Sequence, residues 1–128
     1  MILRILLALI FLVAAALALD GFWLEPSSLR LTRYEVPLDV PQWKGMTIAV
    51  ISDLHAGAPF IDAAKIDRVV AMTNAARPDL ILLTGDYVIA GVLGGRHMPI
   101  EEIAAHLRPL HAPLGVYAVL GNQDRGED

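Results

Sequence analysis

Three short apolar runs, Met46 to Ile51, Leu80 to Leu83 and Val116 to Leu120, each lead into a polar segment: Ser52-Asp53-Leu54-His55, Thr84-Gly85-Asp86-Tyr87 and Gly121-Asn122-Gln123-Asp124. Uninterrupted leucine-rich or β-branched runs of that length predict strands buried on both faces, as in a parallel sheet. Helical patterns lie between them. Asp62 is placed to cap a helix whose Ile66, Val69, Val70 and Thr73 form one apolar stripe, and Pro78 stops it. Pro99 opens a second helix, with Glu101 and Glu102 in its first turn and Ile100, Ile103, Ala104 and Leu107 facing inward; Pro109 and Pro113 close it. The order β-α-β-α-β predicts a layered, parallel α/β sheet.

The start of the chain is of another kind. Ile5 to Leu19 is fifteen residues without a charge, after Arg4 and before Asp20, and it accounts for much of a composition that is 55 % hydrophobic. A basic flank before an apolar run directs membrane insertion. Extending the run through Phe22-Trp23-Leu24 gives a 20-residue span that carries only Asp20, which favours an uncleaved anchor. Ala16-Leu17-Ala18 keeps a cleaved signal peptide open as the alternative. Arg4 on the short side orients the N-terminus to the cytoplasm, so the remainder is expected on the non-cytoplasmic side. The expected divisions are an anchor or signal at 1–24, a linker with an edge strand from Leu29 to Leu38 within 25–45, and an α/β domain over 46–128. A net charge of −4 with no Lys/Arg cluster argues against a nucleic-acid partner, and the absence of cysteine excludes disulfides.

Parallel strands present their C-terminal ends on one side, where open α/β sheets bind ligands. The three polar segments share that side. Asp53 and His55, two apart, would in an extended backbone project together and chelate one ion, with Leu54 pointing away. Asp86 follows Gly85 and Asn122 follows Gly121, so each glycine permits a tight turn that aims a ligand into the same crevice. A carboxylate can bridge two cations, and an amide oxygen is a neutral hard ligand for the second. Each motif alone is an ordinary turn; the spacing of 33 residues from Asp53 to Asp86 and 36 from Asp86 to Asn122, one crossover helix each, sets them apart. A nucleotide-binding Rossmann-type module is disfavoured, because no Gly-x-Gly-x-x-Gly follows the first strand.

These segments, with Leu83-Thr84-Gly85-Asp86-Tyr87-Val88 and Gly115-Val116-Tyr117-Ala118-Val119-Leu120-Gly121-Asn122, resemble the first three motifs of the calcineurin-like metallophosphoesterases, and in particular their bacterial membrane-anchored branch. The resemblance implies the N-terminal half of a four-layer α/β sandwich. It implies two divalent ions, with Asp53 and His55 on the first, Asp86 bridging, and Asn122 on the second. A histidine among the ligands favours Mn, Fe or Zn over Mg. The implied chemistry is in-line attack on phosphorus by water activated between two metals. With an anchor close to lipid headgroups, the substrate expected is a phosphodiester or pyrophosphate, of a phospholipid or lipid-linked kind, by likeness to the family's hydrolases of a lipid A precursor, UDP-diacylglucosamine.

Two departures from the family pattern bear on activity. Later histidine motifs of the family have no counterpart here: His106 falls on the second helix, His111 between prolines, and His97 in the glycine-rich loop, where its role stays open. Four ligands are fewer than two ions require, so the expectation is the N-terminal portion of a longer enzyme or a truncated product. The second departure is Gln123, where the family usually has a histidine. Glutamine cannot supply a proton at neutral pH, yet its amide can donate a hydrogen bond to a phosphoryl oxygen. Asp124 is expected either to orient that amide or to face solvent. The competing reading is a non-catalytic, vestigial membrane protein of the same fold.

Overall fold

The computed structural model describes residues 1–125; the last three positions of the expected 46–128 domain lie outside the described residues. The chain divides into two units, Met1–Arg30 and Leu31–Asp128.

The first unit is helical. Helix α1 (Ile2–Leu19) runs on through a π-helical stretch, Asp20–Leu24, and a last α turn, Glu25–Ser27. The wider register immediately precedes Pro26, whose ring cannot donate to the carbonyl four residues back and would crowd it. Glu25–Ser27, expected as linker, therefore belongs to the helix. Together Ile2–Ser27 make 26 helical residues with none buried, about 39 Å of helix against a hydrocarbon core of about 30 Å. By length and composition this helix can cross a membrane.

The expected edge strand from Leu29 to Leu38 does not form. Residues 28–40 carry no regular structure, and Leu31, Tyr34, Val36 and Leu38 are all exposed. Alternation alone cannot hold a strand that buries no face and finds no ladder partner, and Pro37 removes a donor besides. A 3₁₀ turn, Pro41–Trp43, then leads to the sheet.

In the second unit, strands β1 (Ile48–Ile51), β2 (Leu80–Leu83) and β3 (Val116–Ala118) form a parallel sheet in the order β1-β2-β3. The register pairs Ile51 with Leu83 and Leu83 with Ala118, so the three strands end level. β1 begins two residues later than expected. Thr47 is drawn into a fastening with Asp79: the Thr47 N–H donates to Asp79 Oδ2 at 2.7 Å, and the Asp79 N–H donates to the Thr47 carbonyl at 2.8 Å.

Helix α2 (Ala63–Ala75) fills the first crossover and α3 (Ile100–Leu107) the second. Asp62 caps α2 as expected, its side chain accepting from the Lys65 N–H at 2.8 Å. Ile66, Val70 and Thr73 are buried and Val69 partly so, which reproduces the stripe read from the sequence. The stripe of α3 is narrower: Ile103 is buried and Leu107 partly, whereas Ile100 and Ala104 are exposed. The helices lie against each other, with His106 Nδ1 2.7 Å from Asp67 Oδ1.

Both crossovers join neighbouring strands, so a common hand puts both helices on one face. Burial agrees. Ile51, Ile81 and Leu83 join Ile66, Val70 and Ile103 in the core, while Val50 and Tyr117 on the opposite face are 62 % and 61 % exposed. The strands are thus covered on one face among the described residues, not on both as the apolar runs predicted. Continuous apolar runs report what the open face is suited to meet, not what covers it here.

Candidate metal centre

Beyond the C-terminal ends of the strands the chain does not splay apart. The loop after β1 stays zipped to the loop after β2: the Asp53 N–H donates to the Gly85 carbonyl at 3.2 Å, His55 to Asp86 at 3.0 Å, and Ala56 to Tyr87 at 2.7 Å. A parallel bridge between Ala56 and Val88 closes the series. Two loops joined in this way carry their side chains as one body.

Asp53, His55 and Asp86 each offer one ligand atom, and those atoms lie within 4.8 Å of one another. Nε2 of His55 is 3.7 Å from Asp53 Oδ1. Donors about 2.0–2.2 Å from one tetrahedral ion stand about 3.3–3.6 Å apart, so the Asp53–His55 pair is near ligand spacing and the rest of the set would draw in on binding. Two carboxylates and an imidazole fit Mn, Fe or Zn.

How Asp53 and His55 converge differs from expectation. Neither is extended; Asp53, His55 and Asp86 all sit in the left-handed region, with φ of 52°, 44° and 56°. Left-handed backbone is uncommon outside glycine, though Asp and His tolerate it better than most, and such residues cluster at functional sites because surrounding contacts must hold them. The turn at Asp53 and His55, not a pleat, aims them together. Leu54 between them is buried in the core, as expected.

The neighbouring contacts orient the ligands. His55 Nδ1 is 3.4 Å from the Val88 carbonyl; a proton on Nδ1 leaves the Nε2 lone pair facing the carboxylates. The Ser52 hydroxyl donates to Asp53 Oδ2. The Gln123 N–H donates to Asp86 Oδ1 at 2.9 Å.

Gly85 and Gly121 let the second and third loops meet. A Cβ on Gly85, whose φ is +99°, would strike the Gly121 backbone, and a Cβ on Gly121 would strike Asp86. Asn122 follows directly in an exposed bend, next to the backbone that touches Asp86. Gln123 is exposed, and the contact it makes with Asp86 is through its main chain.

Asp124 does neither thing expected of it. Its carboxylate accepts from the N–H groups of Asp86 at 2.7 Å, Tyr87 at 2.6 Å, Val88 at 3.1 Å and Gly121 at 2.8 Å. Burial alone would raise its pKa, but these four donors outweigh it and hold the carboxyl below the usual range. The group that was expected to serve Gln123 or face solvent instead clamps the third loop onto the second. Convergence of four backbone donors is a tertiary property, and the only trace of it in sequence is an acid three residues after a glycine.

Tyr87 completes the frame from below. It is buried, with its hydroxyl 3.2 Å from the Leu83 carbonyl and 2.9 Å from that of Val119, bridging the ends of β2 and β3. Burial first, and then the Asp124 charge, raise its pKa against a smaller lowering by a hydrogen bond from the Gly85 backbone, so it stays a neutral phenol.

His106 is engaged with Asp67 on the helices, and His111 Nδ1 lies 3.2 Å from the Pro109 carbonyl; both are apart from this cluster. His97 lies in the loop that follows Asp86.

Comparison with known proteins gives the family. The profile of the family described as "Calcineurin-like phosphoesterase" matches residues 46–128. The chain is similar to the UDP-2,3-diacylglucosamine pyrophosphatase LpxG of Chlamydia trachomatis, 36 % identical over 117 residues that cover 88 % of this chain and 34 % of that protein. Its counterpart from Chlamydia muridarum is 34 % identical, with the same coverage of 88 % and 34 %. A transmembrane protein with metallophosphoesterase domain from Danio rerio is 27 % identical over 91 % of this chain and 26 % of its own length. The chain therefore spans about a third or less of these relatives, 34 %, 34 % and 26 %. No solved structure matches it significantly. With a profile match over more than half of its length, the chain belongs to the calcineurin-like phosphoesterase family.

Proposed function

We propose that the protein is a membrane-anchored, metal-dependent hydrolase of phosphoester or phosphoanhydride bonds. The observation that supports it best is the gathering of Asp53, His55 and Asp86 donors within 4.8 Å on loops that are hydrogen-bonded to each other. Asp53 and His55 would hold a first divalent cation, Asp86 would bridge, and the Asn122 amide oxygen would serve a second. Once bound, such cations supply Lewis-acid neutralisation of phosphoryl charge and activation of water.

The chain's own residues do the positioning. Val88 fixes the His55 tautomer, Ser52 and the Gln123 main chain hold the two carboxylates, and Asp124 keeps the loops closed. The Gln123 side chain would donate a hydrogen bond to a phosphoryl oxygen. It supplies no proton, so substrates with good leaving groups should be favoured. The apolar helix Ile2–Ser27 supports anchoring, with the catalytic part on the non-cytoplasmic side by the charge of Arg4. An anchored site, together with relatives named as UDP-2,3-diacylglucosamine pyrophosphatases, supports a lipid-linked phosphate substrate.

The test is turnover of a chromogenic phosphodiester by the complete protein with added Mn, Zn or Mg, with Asp86→Asn as control. Metal-dependent turnover in the wild type, lowered by about 10²-fold or more in the variant, is expected. Equal rates in both would remove Asp86 from the chemistry. Absence of turnover with every metal would favour the non-catalytic reading, which rests on Gln123.

A further inference from the structure

The stretch between the apolar helix and β1 takes no part in the metal cluster, yet it is written to a pattern of its own. Tyr34, Val36, Leu38 and Val40 alternate with Arg33, Glu35, Pro37 and Asp39. An extended chain sets such residues along opposite edges, one apolar and one polar. Both ends of the stretch are extended, Ser28 at φ −70° and ψ 156° and Val40 at φ −129° and ψ 94°. The polar edge is at home in water, whereas the apolar edge is not covered by the fold. Tyr34, Val36 and Leu38 are 85 %, 69 % and 56 % exposed, and Leu31 and Trp43 on either side are exposed too.

Position in the chain points to the occupant. Ser28 directly follows Ile2–Ser27, the helix long and apolar enough to cross a membrane. Leu31 and Tyr34 lie four and seven residues past its end, at most about 14 Å and about 25 Å of chain, so the surface of a bilayer crossed by that helix is within reach. Phe22 and Trp23 near the end of the helix, and Tyr34 and Trp43 beyond it, include the aromatic types that concentrate at headgroup level. Arg30, Arg33 and Lys44 outnumber Glu35 and Asp39, which suits lipid phosphates. Pro37 has no N–H to give to a ladder, which disfavours pairing with a second copy.

From this we infer that residues 30–43 lie in the lipid headgroup layer, with Leu31, Tyr34, Val36, Leu38 and Trp43 sunk into the acyl boundary and Arg33, Glu35 and Asp39 turned to water. The inference rests on the anchoring reading above and extends it: the helix ties the chain to the bilayer, and this segment moors the domain on the bilayer's surface. The headgroup layer is wet enough to satisfy an open backbone, as the hydrocarbon core is not. β1 begins at Ile48, five residues past Trp43, so the sheet starts within about 18 Å of chain from the moored end.

The experiment places single nitroxide labels on the full chain, which has no native cysteine. Tyr34→Cys, Val36→Cys and Leu38→Cys report the apolar edge, Arg33→Cys, Glu35→Cys and Asp39→Cys the polar one, and Leu12→Cys the middle of the helix. Each is reconstituted in vesicles of phosphatidylcholine and phosphatidylglycerol, and its depth is read from relaxation by oxygen against a water-soluble nickel chelate. Labels at 34, 36 and 38 should sit about 5–10 Å below the phosphate level, and those at 33, 35 and 39 should stay accessible to nickel. Adding Tyr34→Glu and Leu38→Glu should return the label at 36 to water. Six positions all accessible to nickel, or a label at 36 unmoved by the two glutamates, overturns the mooring. Dipolar broadening at 34, 36 or 38 that disappears on dilution with unlabelled chain also overturns it, since a second copy would then cover the edge. A label at 12 that nickel reaches means that the anchoring reading itself has failed; a label at 12 shielded from nickel while those at 34, 36 and 38 are wet means that the mooring alone has failed.

Discussion

Asp124 gathers four backbone N–H groups on one carboxylate, and its reach across 36 to 38 residues makes it the fastening between the second and third loops. Asp124→Ala leaves those donors without their partner and should cost about 2–4 kcal/mol, read by denaturant titration. Its folded pKa is depressed, so its contribution is present above the unfolded value near 4 and is lost as pH falls through the lower folded value. Stability of the wild type should therefore drop on acidification through that window, and the Asp124→Asn variant should show a flatter acid limb. Gly121→Ala should push Asp86 out of place, costing about 1–3 kcal/mol by overpacking and weakening metal binding in the same protein. Asp53, His55 and Asp86 could be picked out in sequence because an apolar run announces each. Their left-handed backbone could not, since Asp and His fit either conformation and only tertiary contacts decide.

At the scale of elements, helix α2 was written plainly into the chain. Asp62, a stripe at 3.6-residue spacing and a proline stop all agree, and agreement among local signals is what makes a segment legible. Asp62→Ala should destabilise the domain by about 1 kcal/mol, measured as a shift in the thermal midpoint, without changing metal affinity. Ile66→Ala, which opens a cavity under the sheet, should cost about 2–5 kcal/mol. Leu29 to Leu38 shows the opposite case. Its alternation was weak, Pro37 interrupts it, and strand formation depends on a neighbour that sequence pattern does not reveal. Helix α3 lies between these cases: its start and charge pattern were readable, but burial of Ile103 without Ile100 or Ala104 depends on how α2 lies beside it.

For the molecule as a whole, three parallel strands with both helices on one face make a platform whose level ends carry the candidate ligands. The parallel β-α-β-α-β order was legible because each connection is long enough for one crossover helix. Which face stays open was not, because strands suited to two covered faces read the same whether one or both are covered. Asp53, His55 and Asp86 are proposed to hold divalent metal, with Asp86 shared between two ions. Electron paramagnetic resonance of the complete protein loaded with Mn(II) tests it most directly. Two Mn(II) per protein with a spin-coupled signal are predicted, and Asp86→Asn should lose the coupling and one ion. Equal stoichiometry and an identical uncoupled spectrum in wild type and variant would contradict the account.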